Sequence, residues 1–183
     1  MSNKELLYWE FPNHISKDLI DVFLKEAEAW PVAAGKHGEV NPKLDDFRKV
    51  SVQSPTEYNF MCLLLLAFGI KANAKCWAYD IWDSNQADLL TYYADTSDRD
   101  NGHVDTLQLG PGVVRKLTVL AFLNDDYEGG KFFLLQSENN KQYIETTAGS
   151  VIVFPSHIMH GVEPVTAGVR KSLATWIIGP NFK

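Results

Sequence analysis

His103 and Asp105, two residues apart in Gly102-His103-Val104-Asp105, put an imidazole and a carboxylate on one face of an extended segment, because strand side chains alternate with a period of two. A second histidine would complete a two-histidine, one-carboxylate facial set. Such a set leaves adjacent positions of an octahedral metal open, the arrangement of non-heme Fe(II) oxygenases. Downstream of the pair stand His157 and His160. Beyond them, Arg170 in Val169-Arg170-Lys171-Ser172 offers a guanidinium that could clamp a dicarboxylic cosubstrate in a bidentate pair. A His-x-Asp alone is common by chance and usually means a polar turn. Joined to Arg170, it predicts an iron centre with a carboxylate clamp.

The elements that must hold these residues are bounded first by composition. A chain of 183 residues is most simply one domain with a sizeable core. Its net charge of −6 argues against broad binding to nucleic acid or anionic membrane, which requires a basic face. The longest apolar run, Leu63-Leu64-Leu65-Leu66-Ala67-Phe68, is too short to span a bilayer. Met1-Ser2-Asn3-Lys4-Glu5 lacks the apolar core of a signal peptide. Cys62 and Cys76, with no second thiol nearby in sequence, read as reduced residues and place the protein in the cytoplasm. His14 and His37 lie in unpatterned stretches and read as solvated.

Two helices precede a β-rich region. Residues 11–15 form a strand or turn before Ser16, an N-cap, and then Leu19, Ile20, Phe23, Ala27 and Trp30 recur at helical spacing up to Pro31. Residues 33–47 have no period and read as a long loop, followed by a short strand at 48–52. The second helix is expected to open at the capping box Ser54-Pro55-Thr56-Glu57 and to end at Gly69. From Cys76 onward, short apolar runs are separated by turn chemistry: 77–82, 88–93, 117–123, 131–135, 142–145, 150–154, 161–164 and 172–178. Eight short antiparallel strands suit a jelly roll. The expectation is a single domain, 1–183, mainly β with N-terminal helices: 1–75 helical support and 76–183 jelly-roll core.

The stretch from Arg115 through Leu123-Asn124-Asp125-Asp126-Tyr127-Glu128-Gly129-Gly130 resembles the central strand and turn of the prolyl-hydroxylase-like 2-oxoglutarate/Fe(II) dioxygenases. So do Ala148-Gly149-Ser150-Val151-Ile152-Val153-Phe154-Pro155 and His160-Gly161-Val162-Glu163-Pro164-Val165. The resemblance covers 82–180 closely. It implies a double-stranded β-helix, cupin-like, with iron ligands His103, Asp105 and His160. His160 is preferred to His157 because it directly precedes the strand that the family places after its distal ligand. An aspartate at 105 also disfavours the halogenase branch, where a small residue vacates a coordination site.

The same resemblance assigns Arg170 to the C5 carboxylate of 2-oxoglutarate. Ser172, on the same strand face, could add a hydroxyl. Tyr93 matches a pocket tyrosine, with Tyr92 expected to face the other way, and Thr118 and Trp176 match pocket-lining positions. The chain departs from the pattern at Phe122, often a tyrosine that donates to that carboxylate. Fe(II), 2-oxoglutarate and O2 are the implied cofactor and cosubstrates, with ascorbate left open as an accessory.

The implied reaction is hydroxylation of an unactivated C–H bond, with C4 of a peptidyl proline as the expected target. The partner is then a proline-containing protein or peptide, covered by the loops 33–47 and 94–102. A free amino acid or other small molecule is the alternative, with Arg99, Arg115 and loop aspartates as anchors. A cupin-like binding module without turnover is a third reading, which an intact triad with Arg170 opposes. Demethylases of alkylated bases carry a second arginine six residues after the first, where this chain has Trp176.

Overall fold

The computed structural model describes residues 7–31, 50–55, 59–94, 102–137 and 140–182. Most of the two expected cover loops lies outside these residues, including Asp95, Asp98, Arg99 and Asp100. So do His37, Arg48, Lys49, Thr56 and Glu57.

Two helices, α1 (Lys17–Ala27) and α2 (Phe60–Cys76), accompany twelve strands among the described residues. The strands are β1 (Trp9–Phe11), β2 (Val50–Gln53), β3 (Ser84–Tyr93), β4 (Gln108–Gly110), β5 (Val113–Phe122), β6 (Glu128–Gly129), β7 (Phe132–Ser137), β8 (Asn140–Ile144), β9 (Val151–Pro155), β10 (His160–Val162), β11 (Val165–Ala167) and β12 (Val169–Gly179). A large antiparallel sheet runs β1-β9-β5-β12-β3-β2, with β4 folded onto the start of β5. A smaller layer consists of β10-β7-β8 and the pair β11-β6. These two layers form the double-stranded β-helix expected from the sequence. β1 and β2, from the N-terminal stretch, are edge strands of the large sheet.

Period-two alternation divides the interior. On one face of the large sheet, Leu89, Leu117, Val119, Ala121, Val151, Val153, Leu173 and Ile177 pack with Ile20 and Phe23 of α1 and Met61, Leu65 and Phe68 of α2. On the other, Leu120, Phe122, Ile152, Phe154, Ala174 and Trp176 meet Phe132, Leu134, Ile144 and Val162 from the small sheet. Burying a large apolar side chain contributes about 1.5–3 kcal/mol, so both layers help hold the barrel closed. The site lies within the second layer.

The helices depart from expectation at their ends. α1 is capped as expected, with Leu19 N–H donating to Ser16 Oγ at 3.3 Å. α2 instead begins after Asn59, whose carboxamide oxygen accepts from Met61 N–H at 2.8 Å. Ser54 is not its cap, and its hydroxyl donates to Asp88. Nor does Gly69 end the helix. It is the point where α2 meets the sheet, and a Cβ there would collide with Ile177 Cδ1. The expected strand at 77–82 is an irregular connection. The Asn73 side chain bonds both Tyr79 N–H and Tyr79 C=O at 2.9 Å, occupying groups that a ladder would need.

Candidate functional site

The residues around His103 and His160 are held by backbone before any ligand is considered. His103 N–H donates to His160 C=O at 2.8 Å, and His160 N–H returns a bond to His103 C=O at 2.9 Å. Gly102 permits this approach. Its φ is +73°, and a Cβ would stand 2.8 Å from the His160 carbonyl oxygen, so any side chain there would be strained. Two residues on from His103, Asp105 N–H is tied to Ser156 C=O at 2.8 Å. The Asp105 carboxylate therefore lies between two imidazoles, 3.4 Å from His103 Nε2 and 3.3 Å from His160 Nε2.

The supporting contacts set the chemistry of these groups. His160 Nδ1 lies 3.0 Å from Ile158 C=O, and since a carbonyl only accepts, Nδ1 donates there and the ring turns Nε2 toward Asp105. Thr118 Oγ1 donates to Asp105 Oδ2 at 2.9 Å and fixes the carboxylate plane. Burial pushes the Asp105 carboxyl up, but bonds and charge from His103 and His160 outweigh it and hold it well below the usual carboxylate range. It stands as an anion.

This donor set fits a divalent cation. The ligand atoms of His103, Asp105 and His160 all lie within 4.8 Å of one another, the one such group among the described residues. Adjacent corners of an octahedron with bonds of about 2.1 Å are roughly 3 Å apart, close to the separations seen here. His157 is exposed, its ring against Phe182, and it takes no part in the group.

These residues line a cavity of about 280 Å³ between the sheets. At its far end Arg170 is 1% exposed, with Nη1 donating to Ser172 Oγ at 3.1 Å. Its Nε and Nη2 have no hydrogen-bond partner among the described residues. A buried guanidinium with two unpartnered donors is costly unless an anion pairs with it. Phe122 and Tyr92 flank it, their ring centres 5.7 and 5.1 Å from Cζ. Four strand residues, roughly 13 Å, separate Ser172 from Trp176, which is opposite Thr118. A short dicarboxylate fits between an arginine reaching inward from one end and a metal at the other.

The expected pocket tyrosine is the wrong member of its pair. Tyr92 is 3% exposed, lines the cavity and sits opposite Arg170 in the β3–β12 register. Tyr93, on the other parity of β3, is half exposed and does not line it. Thr118 and Trp176 do line the cavity, but at the metal end: Thr118 is engaged with Asp105, and the Trp176 ring lies 4.0 Å from Arg115 Cζ. Asp88, Gln86, Val50 and Val52 also line it without having been singled out in the sequence. For Asp88 the available signal was its shared parity with Leu90 and Tyr92.

The sequence pattern of the 2OG-Fe(II) oxygenase superfamily matches residues 89–178. A PKHD-type hydroxylase from Alteromonas mediterranea is 40% identical over 70 residues, 37% of this chain and 30% of that protein. Matches to comparable curated relatives likewise span about a third of their length, 35% and 34% in two cases. Among solved structures, a Pseudomonas putida prolyl-4-hydroxylase superposes with a TM-score of 0.70 at 19% identity, covering 96% of this chain and 94% of that one. A Trichoplax adhaerens prolyl hydroxylase, in complex with a hypoxia inducible factor peptide fragment, gives 0.70 at 16% identity, covering 97% and 85%. These two share the double-stranded β-helix. Over residues 89–178 the chain carries the pattern of the 2OG-Fe(II) oxygenase superfamily, and the relatives and solved structures it is similar to include PKHD-type and prolyl hydroxylases.

Proposed function

We propose that this chain is a 2-oxoglutarate- and Fe(II)-dependent dioxygenase that hydroxylates an unactivated C–H bond, with a peptidyl proline as substrate. The observation that carries this reading is one cavity holding both the His103–Asp105–His160 group and a buried Arg170 with two unpartnered donors. Iron, 2-oxoglutarate and O2 would together supply the oxidising chemistry: one atom of O2 would enter the substrate C–H bond and the other the succinate formed as carbon dioxide is lost from 2-oxoglutarate.

The chain's own residues do the rest. His103, Asp105 and His160 would hold the metal at the cavity wall. Arg170 and Ser172 orient the cosubstrate through its distal carboxylate, in a pocket where Phe122 donates no hydrogen bond. Phe132 and Phe154 flank His160, with ring centres at 5.9 and 4.7 Å, and keep that side dry. The likeness to prolyl hydroxylases, one of them solved with a peptide, supports a proline within a peptide. Two free cysteines support a reducing, cytoplasmic setting.

The test is to incubate the purified protein with Fe(II), 2-oxoglutarate and proline-containing peptides, with and without ascorbate. Succinate should form in step with a gain of about 16 mass units on proline, one added oxygen. Succinate release with oxidation of free L-proline but of no peptide would overturn the peptidyl reading. No succinate with any substrate would overturn the dioxygenase reading.

A further inference from the structure

Not every charge facing the cavity belongs to the metal or cosubstrate ends. Asp88 on β3 is 7% exposed and lines the cavity. Ser54 Oγ donates to its Oδ1 at 2.6 Å, and Gln86 Nε2 donates to Oδ1 and Oδ2 at 2.7 and 2.8 Å. These neutral donors fill three of about four acceptor positions of a carboxylate. None of the ion pairs among the described residues includes Asp88. Arg115 on the opposite wall attracts Asp88 only through space, so a buried anion hydrogen-bonded only to neutral donors among the described residues still gains from a cation that enters the cavity.

Its position is suited to touching substrate. In the large sheet Asp88 is opposite Ala174 of β12, which is opposite Leu120 of β5. The methyl group of Ala174 leaves space before the carboxylate. The next rung carries Trp176 and Thr118, and Thr118 bonds the metal-site Asp105. With strands about 4.8 Å apart and like-facing residues about 7 Å apart along a strand, Asp88 lies on the order of 10 Å from that end. A substrate ring and one neighbouring group span that distance. Across the Trp176 indole stands Arg115, its guanidinium stacked at 4.0 Å. The mouth therefore has an anion on β3, a cation on β5 and an aromatic ring between them.

We propose that Asp88 is a specificity-determining residue, selecting substrates that carry a cationic amine beside the carbon to be hydroxylated. This rests on the hydroxylase reading above and narrows its substrate class. The amine is either a lysine side chain next to a peptidyl proline or the ammonium group of a free amino acid. Both offer Asp88 the same charge and the same donors. Arg115 repels that group from the opposite wall and directs it to the β3 side.

The test is equilibrium binding, measured calorimetrically and so independent of turnover. Blocked tetrapeptides carry lysine, norleucine or glutamate on either side of proline, and free L-proline is compared with N-acetylproline. On the wild-type protein, a lysine peptide or free L-proline should bind at least about tenfold tighter than its neutral counterpart, and less so as salt rises. Asp88→Asn should reduce that ratio to near one, and Asp88→Glu should retain it. A preference confined to the lysine peptides assigns the amine to a side chain, whereas one confined to L-proline assigns it to the substrate's own ammonium. Equal binding of cationic and neutral ligands to the wild type, or a preference surviving Asp88→Asn, would overturn the proposal. If Asp88→Asn fails to fold, the wild-type panel and its salt dependence decide alone. Cation preference without succinate formation would sink the hydroxylase reading and leave Asp88 assigned; succinate formation without preference would do the reverse.

Discussion

The two faces of the large sheet are built from the same strands, yet they carry different cargo. On β12, Leu173 and Ile177 face the helices, while Arg170, Ser172, Ala174 and Trp176 face the cavity. On β5, Leu117, Val119 and Ala121 alternate in the same way with Thr118, Leu120 and Phe122. The helix face is almost wholly apolar, with Thr91 and Thr175 the buried polar residues on its parity, so its residues act mainly through burial. The cavity face keeps Asp88, Arg115, Thr118, Arg170 and Ser172 in places where uncompensated polarity costs free energy. Adjacent residues of one strand can thus differ wholly in what their loss does: one parity holds the fold and the other holds the chemistry.

Substitution on either parity tests that division. The largest effect is expected at the metal end. His160→Ala should abolish succinate formation while leaving the thermal midpoint within a few degrees, whereas exposed His157→Ala should retain activity. An inactive His157→Ala with an active His160→Ala would reassign the ligand set. Next comes the helix face, where Leu173→Ala should cost about 2–5 kcal/mol in urea unfolding. The purified folded fraction should keep its 2-oxoglutarate affinity. A stable Leu173→Ala protein with lost affinity would break the comparison.

The smallest effect lies outside both faces. Glu163 bonds Lys141 at 2.8 Å and Tyr143 at 3.0 Å. Burial raises its carboxyl, but those two partners outweigh it and hold it below its ordinary value of 4.5. A carboxyl depressed in the folded state gives stability that is present above 4.5 and lost as pH falls through the lower folded value. For this partly exposed pair the contribution is less than about 1 kcal/mol. Glu163→Gln should lower stability at neutral pH by up to that amount, leave acid pH little changed, and so flatten the acid limb of the stability curve. A larger loss at neutral pH would show that the small sheet depends on this contact.

Most of this division is legible in sequence, because period two is a local signal. The apolar runs at 117–123, 150–154 and 172–178 fall on β5, β9 and β12, and Arg170 and Ser172 share a parity that the strand preserves. Where the reading failed, a longer-range contact decided. Tyr93 matches by resemblance alone, at a strand end whose following loop carries no parity. The alternation of β3 itself, with Leu89 toward the helices and Leu90 toward the cavity, selects Tyr92. The aromatic-rich 77–82 looks like a strand until Asn73, several residues away, occupies Tyr79's backbone groups. Gly69 looks like a helix stop, but its lack of a side chain serves contact with Ile177. Asp88 shares its parity with Leu90 and Tyr92, but only the pairing of β3 with β12 shows that it stands beside Ala174.

The central claim is that one cavity joins a metal end to a carboxylate end, and Arg170 tests it most directly. Iron and 2-oxoglutarate binding should be measured calorimetrically, without oxygen, on the wild-type and Arg170→Ala proteins. Removing the charged partner of a buried carboxylate costs about 2–5 kcal/mol, so 2-oxoglutarate affinity should fall by that amount while Fe(II) affinity is retained. Unchanged 2-oxoglutarate affinity in Arg170→Ala, with iron still bound, would place the cosubstrate elsewhere and contradict the account.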